Sequence, residues 1–475
     1  MANRPNILLM VSEDNGQHLS CYGDENIQTP NIDKLAEEGV RFENGYTTQS
    51  VCSPGRASLL TGLYPHQNGQ FGLATHKYAL YDDFPNMQSL LKSAGYRTGM
   101  LGKLHINPEN LFPLDLWWNA RESISFAHRD VVKTADMAND FMGASDEPFL
   151  LMVNFSDAHL PFIKQDFGVP EHPLEADDVM PLPQVGIDTQ RIREHTADYY
   201  NCMLRLDTCV GLVLEKLETL GKAENTLVIF TTDHGAQFSR GKTSIYEGGL
   251  RVPLMMRWPG WIASEQVRPE LMSHIDILPT VLEAIGEPVP DGLPGLSALS
   301  LLSGKKAARE HLFAEWCAGG PASYFPQRSV RDSRFKLIWN MLQDRSNPGA
   351  VGYSGPEQRW APGANADEIT RADEVVRKAY GRYENPPEFE LFDLADDPWE
   401  WIDLSENPEF VDVLAGLRDR LNVWQVETQD ALRVPENLRK LTQKHDEIVG
   451  QFYQGDAWGN SRDYDWEYTE YLYQI

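Results

Sequence analysis

The sequence predicts an α/β fold, in which a mainly parallel sheet is flanked by helices and a smaller C-terminal α+β domain follows. The first observation is a set of four short apolar runs, at 6–12, 96–101, 148–155 and 226–232, each ending abruptly in polar residues. The second is their continuous rather than alternating apolarity, which is typical of strands buried on both faces. The third is the alternation of these runs with helical patterns, which favours parallel strands wrapped by helices.

Length and composition are consistent with this class. A chain of 475 residues is too long for one ordinary core, so one large domain and a smaller one are expected. Hydrophobic residues make up 41% and charged residues 24%, which is ordinary for a soluble globular protein. We place a large domain at 1–320 and a smaller domain at 321–475, which is expected to complete the pocket of the larger one.

Helical patterns fill the spaces between the apolar runs. The segments 30–39 and 86–95 each close with a glycine, and the longest pattern extends over 188–220. In the C-terminal part, 344–368 is rich in Gly and Pro and is predicted as a long loop. It is followed by a short strand at 390–394, a helix at 408–424 and 25 final residues without a clear period, at 451–475.

Charge and apolar content exclude several partners. Lys and Arg number 42 and Asp and Glu 70, which gives a net charge of −28. Such a field repels nucleic acid and anionic membranes, so we predict neither as a partner. No apolar stretch approaches the roughly 18 residues of a membrane span, and the run at 7–11 is shorter than the core of a signal peptide. As numbered, the chain is expected to be cytoplasmic, or exported with its signal already removed.

Polar side chains with catalytic or ligand-binding capacity follow each of the four predicted strands. They are Glu13 and Asp14, Lys103 and His105, Asp157 and His159, and Asp233 and His234. In open α/β sheets, ligands bind beyond the carboxyl ends of the strands. We therefore expect these side chains to converge on one edge of the sheet.

One of the five cysteines has an unusual context. Five cysteines are too few and too scattered for a disulfide scaffold, so most are predicted to be core residues. Cys52, however, is followed by Ser53, Pro54 and the helix-forming stretch RASLL. This context predicts a thiol at a helix N-terminus, where the dipole favours a thiolate or a bound anion. Arg56, one turn later, is able to grip such an anion.

The motif Cys52-x-Pro54-x-Arg56, continued as ASLLTG, resembles the signature of the type I sulfatases. The blocks RPNILLMVSEDNG, GYRTGMLGKLH, TLVIFTTDHG and ELFDLADDPWE are similar to family blocks and occur in the same order. The resemblance implies an alkaline-phosphatase-like fold. It also implies that Cys52 is oxidised after translation to Cα-formylglycine, whose hydrated aldehyde is the nucleophile.

The resemblance further implies a metal site. Glu13, Asp14, Asp233 and His234 match the positions that hold a divalent cation, most commonly Ca²⁺, together with the modified Cys52. Oxygen ligands suit a hard cation of this kind. The family usually has aspartate where this chain has Glu13, and many members have asparagine where it has His234. An imidazole leans toward Zn or Mn, so the identity of the metal stays open.

A catalytic set is implied around the transferred sulfate group: Cys52, Arg56, Lys103, His105, His159 and Lys242. In the implied mechanism, Asp14 and the metal activate one hydroxyl of the hydrated aldehyde, which attacks sulfur. His159 or Lys242 protonates the leaving atom. His105 then removes the proton of the second hydroxyl, which expels sulfate and restores the aldehyde.

The expected substrate is a sulfated saccharide, with Asp157 and His66 as substrate-binding residues. Within the family, the signature and the C-terminal stretch resemble members that hydrolyse N-sulfoglucosamine, but Leu160 stands where these have an arginine. N-sulfate and O-sulfate therefore both stay open. A formylglycine-generating enzyme is the expected partner during maturation, and a homodimer stays open.

Two other functions compete with this hypothesis. One is a phosphodiesterase or phosphonate monoester hydrolase of the same superfold, which can use the same nucleophile. The other is a non-catalytic sulfosugar-binding protein in which Cys52 stays unmodified.

Overall fold

The computed structural model of the chain describes residues 4–118, 128–355 and 362–452. Two sheets organise these residues. Their strands are β1 (Asn6–Ser12), β2 (Val40–Tyr46), β3 (Arg97–Leu101), β4 (Leu116–Trp118), β5 (Phe149–Asn154), β6 (Thr226–Thr232), β7 (Arg251–Arg257), β8 (Gln266–Ser273), β9 (Leu312–Trp316), β10 (Gln327–Arg331), β11 (Phe335–Asn340) and β12 (Phe389–Asp393).

The large sheet has the order β4-β3-β5-β1-β6-β7-β2-β8. All neighbouring pairs are parallel except those of β7, which runs antiparallel to β6 and to β2. The four apolar runs of the sequence form β3, β5, β1 and β6, which are adjacent at its centre. The predicted mainly parallel sheet is therefore confirmed.

Helices cover both faces of this sheet and part of the smaller one. They are α1 (Pro30–Glu37), α2 (Cys52–Thr61), α3 (Pro65–Asn68), α4 (Met87–Ser93), α5 (Val131–Gly143), α6 (Gln190–Thr219), α7 (Glu247–Leu250), α8 (Ile277–Ile285), α9 (Ala298–Leu302), α10 (Pro348–Ser354), α11 (Ala366–Arg371), α12 (Glu374–Glu384), α13 (Val411–Glu427) and α14 (Pro435–Phe452).

The central strand explains why the runs are apolar at every position. Leu8 and Met10 of β1 lie in one hydrophobic core with α1, α5 and α6. Ile7 and Leu9 point the other way, into a second core with α2, α4 and α8. Every residue of β1 is buried, so both faces of the strand require apolar side chains.

The smaller sheet is antiparallel, in the order β12-β11-β10-β9. With α13 packed against β10 and β11, it forms the smaller α+β part that the sequence predicted. Its first strand, β9, lies on the N-terminal side of residue 320, where we placed the boundary. The division into 1–320 and 321–475 stays a prediction.

Of the individual helices and loops predicted from the sequence, some are confirmed and one is wrong in part. The long helix predicted at 188–220 is α6, and the helix predicted at 408–424 is a 3-10 turn at Pro408–Phe410 followed by α13. The loop predicted at 344–368 was wrong in part, because α10 begins in it and α11 overlaps its end. The aperiodic segment predicted at 451–475 lies, beyond Phe452, outside the described residues.

The five cysteines are unpaired, as the sequence predicted. Among the helices of the described ranges, none combines the length and the apolarity that crossing a membrane requires.

Candidate active site

The polar residues that follow the central strands meet at one edge of the large sheet. Glu13 and Asp14 follow β1, and Asp233 and His234 follow β6, its parallel neighbour. Cys52 is the first residue of α2, and its sulfur lies 4.0 Å from Asp14 Oδ1. These five residues are at most 2% exposed. The predicted convergence on one edge is what the structure contains.

Asp14 is at the centre of the cluster. Its backbone has a φ of 52°, an uncommon left-handed conformation that aspartate tolerates better than most residues. This conformation lets the Asp14 amide donate to Asp233 Oδ1 at 3.1 Å. Burial by itself raises the pKa of Asp14, but the charges of Lys242, His159 and His234 outweigh it and hold the pKa below its usual value. The carboxylate is therefore ionised at neutral pH.

The hydrogen bonds of His234 define the state of its ring. Nδ1 lies 2.9 Å from the carbonyl oxygen of Gly235, so Nδ1 carries a proton and donates it. Nε2 lies 3.1 Å from Asp14 Oδ1 and 3.5 Å from Cys52 Sγ. A bare nitrogen lone pair facing a carboxylate oxygen at this distance is repulsive. Either a proton or a cation must lie between them, and an imidazole whose other N–H is anchored to a carbonyl is the usual geometry of a metal ligand.

Each carboxylate of the cluster is paired with a basic side chain. Lys242 Nζ lies 2.7 Å from Asp14 Oδ2, and Arg56 Nε donates to Asp233 Oδ2 at 3.1 Å. Lys103 forms an ion pair with Glu13. Burial disfavours all these charges singly, but together they stabilise one another. The pKa of Lys242 is consequently above its usual value and that of Asp233 far below its own.

Two of the predicted catalytic residues present unsatisfied polar atoms. Arg56 uses Nη1 to donate to Asn154 Oδ1 at 2.6 Å, but its Nη2 is buried without a partner. Both ring nitrogens of His105 are likewise buried without a partner. Burial and the charges of Lys103, Arg56 and Lys242 lower the pKa of His105 well below its usual value, so the ring is neutral. Buried polar atoms of this kind call for a ligand.

His159 lies at the more open side of the cluster, with its side chain 25% exposed. Nδ1 donates to the carbonyl oxygen of Leu160 at 2.5 Å, and Nε2 lies 3.9 Å from Asp14 Oδ2. Because Nδ1 is anchored to this carbonyl, Nε2 is the ring nitrogen that faces Asp14. Burial lowers the pKa of His159, although Asp14 acts in the opposite direction.

The thiol of Cys52 differs from the sequence-based expectation. A helix N-terminus was expected to favour a thiolate, but burial raises the thiol pKa to about 12. Lys103 and Lys242 lower it only in part. Without a bound cation, burial therefore favours the neutral thiol of Cys52.

The donor set fits a hard divalent cation. Ligand atoms of Asp14, Cys52, Asp233 and His234 all lie within 4.8 Å of one another, and Glu13, Asp14, Cys52 and His159 form a second such group. Carboxylate oxygens, which Ca²⁺ prefers, supply two of the four ligand atoms in each group, and a thiol and an imidazole supply the other two. The contact between His234 Nε2 and Asp14 Oδ1 is satisfied by a proton or by a cation, and the nearby ligand atoms of Asp233 and Cys52 make the cluster compatible with a cation.

Asp157, predicted to bind substrate, is engaged elsewhere. Its side chain is 6% exposed, and it forms ion pairs with Arg129 and with Arg205, the latter at 2.6 Å. Burial acts to raise the pKa of Asp157, but the two guanidinium groups outweigh it and lower the pKa. Since both carboxylate oxygens are occupied by arginines, the structure assigns Asp157 a place beneath the site rather than against a substrate.

His66, the other residue predicted to bind substrate, is also buried away from the cluster. Its side chain is 1% exposed, and Nδ1 lies 2.9 Å from Glu315 Oε2 of β9. The ring stacks on Tyr64 and meets the edge of Trp424 in α13. These contacts join α3 to β9 and α13. His66 Nε2 is buried without a partner, so substrate binding by His66 stays a prediction.

Sequence reasoning did not find three polar residues that support the site. Asn154, the last residue of β5, bonds Arg56, whereas Arg129 and Arg205 bond Asp157. Asn154 ends an apolar run and was visible as a strand-end polar residue. Neither arginine had such a signal, because Arg129 precedes α5 and Arg205 lies inside the long helical pattern of α6.

Comparisons with known proteins agree with this geometry. The sequence profile of the sulfatase family matches residues 5–287, and the profile described as N-sulphoglucosamine sulphohydrolase, C-terminal, matches residues 235–346. N-sulphoglucosamine sulphohydrolase of Homo sapiens is 32% identical over 462 residues, which cover 90% of either chain. An ulvan-active sulfatase of Formosa agariphila is 30% identical over 492 residues, which cover 92% of this chain and 77% of the relative.

Solved structures extend the likeness to the fold. A 2-O GAG sulfatase superposes with a TM-score of 0.69 at 20% sequence identity, covering 90% of this chain and 94% of that chain. At this identity the superposition shows the shared fold alone. The sequence comparisons go further, because the family profile spans most of the large domain and the human relative covers nearly the whole chain. The chain therefore belongs to the sulfatase family and is a hydrolase that releases sulfate.

Proposed function

We propose that this sulfatase acts on a small sulfated saccharide, with Cys52 converted to Cα-formylglycine and a divalent cation, most simply Ca²⁺, held by Glu13, Asp14, Asp233 and His234. The observation that carries the proposal is the buried cluster in which His234 Nε2 faces Asp14 Oδ1 at 3.1 Å beside Cys52. That contact requires a positive charge between the two atoms. Cys52 is the residue that the modification would convert: it begins α2, and its sulfur lies 4.0 Å from Asp14 Oδ1 and 3.5 Å from His234 Nε2.

When bound, the cation polarises oxygen atoms and the hydrated aldehyde supplies the attacking hydroxyl. The residues of the chain do the remaining work. Asp14 is ionised and close to position 52, so it accepts the proton of that hydroxyl. Arg56 Nη2, buried without a partner, donates to a sulfate oxygen. Lys103 and Lys242 add positive charge on the same side, which stabilises the negative charge that develops as the S–O or S–N bond breaks.

Two histidines move protons at different atoms in this proposal. His159 Nε2 is the exchangeable nitrogen of a ring anchored through Nδ1, and it donates a proton to the leaving oxygen or nitrogen. His105 is neutral, with both ring nitrogens unpartnered, and it accepts a proton from the side chain at position 52. The two roles need opposite protonation states: Asp14, 3.9 Å from His159 Nε2, favours a protonated His159, whereas the charges of Lys103 and Lys242 keep His105 neutral.

The proposed substrate class follows from charge and from the relatives. The cations are confined to a small buried cluster in a chain of net charge −28, which suits a short anionic saccharide better than a long polyanion. The human relative is named for an N-sulfated sugar and the Formosa relative for ulvan. Leu160 is an apolar residue beside His159, so N-sulfate and O-sulfate are both kept as substrates to be compared.

The rival functions are less well supported. Both family profiles are those of sulfatases, and the named sequence relatives hydrolyse sulfate groups rather than phosphodiesters. A binding protein without catalysis does not need a neutral, unpartnered His105 next to the cation cluster. We keep the phosphodiesterase and the sulfosugar-binding protein as outcomes of the test.

The test begins with maturation. We expect the protein made beside a formylglycine-generating enzyme to show the peptide 42–56 with a mass about 18 Da lower than the cysteine form, since sulfur and two hydrogens are exchanged for oxygen. The matured protein should hydrolyse 4-nitrophenyl sulfate and at least one of a panel of N-sulfated and O-sulfated mono- and disaccharides. The matched control is Cys52→Ala, which cannot be converted.

The outcomes separate the hypotheses. Sulfate release by the matured protein and none by Cys52→Ala supports the proposal, and the preferred saccharide defines the substrate. A clear preference for a phosphodiester over every sulfate would replace it with the phosphodiesterase. A wholly unmodified and inactive protein, made beside a competent maturing enzyme, would favour the sulfosugar-binding protein.

A further inference from the structure

We propose that Arg129 and Arg205 are positioning residues for His159, and that they act by fixing the backbone segment that carries its imidazole. The inference rests on the proposed function, in which His159 Nε2 protonates the leaving atom. It concerns a buried cluster of two arginines and one aspartate beneath the site. None of these three residues is needed there to bind a cation or a sulfate.

The cluster is buried and consists of charged side chains. Arg205 grips Asp157 with two hydrogen bonds, from Nε to Oδ2 at 2.9 Å and from Nη2 to Oδ1 at 2.6 Å. Arg129 Nη1 bonds the same Oδ1. The side chains are 0% exposed for Arg205, 2% for Arg129 and 6% for Asp157. One carboxylate neutralises only one of the two guanidinium groups, so the second arginine needs further acceptors for its buried donors.

Other donors of both arginines find such acceptors in the backbone. Arg129 Nη2 donates to the carbonyl oxygens of His159 at 2.6 Å and of Pro161 at 2.9 Å. Arg205 Nη1 donates to the carbonyl oxygen of Ile163 at 2.8 Å. The two guanidinium groups therefore bind every second carbonyl oxygen of the segment 159–163. One of the held carbonyls belongs to His159 itself.

Backbone hydrogen bonds also join the start of this region to Glu13, the residue that follows β1. The Glu13 amide donates to the Asp157 carbonyl oxygen at 3.0 Å, and the Ala158 amide donates to the Glu13 carbonyl oxygen at 2.6 Å. Asp157 is thus tied to β1 through its backbone and to the arginines through its side chain. The next residue but one is His159, whose Nε2 lies 3.9 Å from Asp14 Oδ2. Proton donation needs a placement this closely defined.

The test uses the leaving group as the reporter. We expect Arg129→Lys and Arg205→Lys, in the matured protein, to lose little kcat/KM with 4-nitrophenyl sulfate, whose leaving group needs no proton. With unsubstituted phenyl sulfate the loss should reach about tenfold or more, because a lysine keeps the charge but cannot bridge carboxylate and carbonyl. Across a series of substituted phenyl sulfates, log kcat/KM should depend more steeply on the acidity of the leaving group.

Three comparisons make the result specific. His159→Ala should show the same steepening, and the double variant Arg129→Lys/His159→Ala should lose no more than His159→Ala alone. Arg193→Lys is the matched control, because Arg193 also lies on α6 but pairs with Asp188 at the surface, at 2.6 Å. It should leave both rate and slope unchanged.

Each result decides something. An equal loss with all phenyl sulfates, or additive losses in the double variant, would overturn the inference and leave the proposed function standing. A wild-type protein that hydrolyses no sulfate would instead count against the proposed function. Circular dichroism establishes whether the variants are folded. If an arginine variant is not folded, Asp157→Asn is used in its place, because asparagine keeps the shape of the aspartate.

Discussion

At the scale of single residues, the site works because each charge is buried with its complement. Lys242 illustrates this, since its ammonium lies 2.7 Å from Asp14 Oδ2 and the residue is 7% exposed. Its pKa is above the usual value, so it keeps its proton well beyond neutral pH. A fixed cation of this kind is preorganised toward the charge that develops on a transferred sulfate.

Replacing Lys242 by glutamine is therefore expected to lower kcat/KM for sulfate hydrolysis by about 10²–10³, which corresponds to about 2.7–4 kcal/mol for one preorganised donor. Steady-state kinetics on the matured protein measure this. Lys92→Gln serves as the control, because Lys92 pairs with Asp115 at the surface and is 41% exposed. Equal losses in the two variants would mean that the effect of Lys242 is a general effect of charge.

Single residues also show what the sequence predicted and what it did not. The strand-end residues of β1 and β6 were predictable because an apolar run that breaks into carboxylates is a local signal. The partners of Asp157 and His66 were not predictable, because they are distant in the sequence. Arg205 is 48 residues from Asp157, and Glu315 is 249 residues from His66. Only the fold decides whether such side chains meet a substrate or each other.

At the scale of elements, α2 places the nucleophile. The helix begins at Cys52 and ends at Gly62, which has a φ of 71° that suits glycine. Gly55, in its first turn, lies against the strand end that carries Asp233. A Cβ at this position would come within 2.6 Å of the Asp233 carbonyl oxygen and 2.9 Å of Thr47 Oγ1. The close approach of helix and strand therefore requires a residue without a side chain.

We expect Gly55→Ala to lower the Tm and to reduce turnover, even though alanine is the better helix former, because the clash forces α2 away from Asp233. The matched control is Gly416→Ala in the interior of α13, where a Cβ has no atom within 4 Å. There the substitution should stabilise the fold by about 0.5–1 kcal/mol. Thermal unfolding of both variants gives the comparison. A stabilised Gly55→Ala would show that helix and strand are less tightly packed than the structure has them.

Elements were also where prediction from composition failed. The segment 344–368 is rich in Gly and Pro, which favoured a loop, yet α10 and α11 form at its two ends. The helix starts have recognisable caps: Asn347 accepts from the Gly349 amide, and Asn365 accepts from the Glu368 amide. Asparagine followed by proline, and asparagine followed three residues later by glutamate, are ordinary N-terminal signals. Composition averaged over the segment concealed them.

At the scale of the whole molecule, charge is divided between surface and site. The net charge is −28, whereas Arg56, Lys103 and Lys242 gather at the one edge where the substrate is proposed to bind. An anionic saccharide must therefore approach through a repulsive field before it reaches these three cations, each of which is paired with a carboxylate. The cations of the site attract an anion over only a few ångströms. The negative surface repels it over the Debye length, which is about 30 Å at 0.01 M salt and about 8 Å at 0.15 M.

Raising the ionic strength from about 0.01 M to about 0.15 M should therefore lower the apparent KM for an anionic saccharide sulfate, while kcat stays nearly constant. The long-range repulsion is screened in this range, whereas the buried ion pairs of the site are screened much less. Initial rates at several NaCl concentrations measure the effect. Repeating the series with potassium acetate controls for chloride competing at the sulfate site, and Tm values over the same range control for changes in the fold. A KM that is flat or rises in both salts would mean that the acidic surface does not oppose substrate entry, and that the local field of the cationic edge already governs the approach.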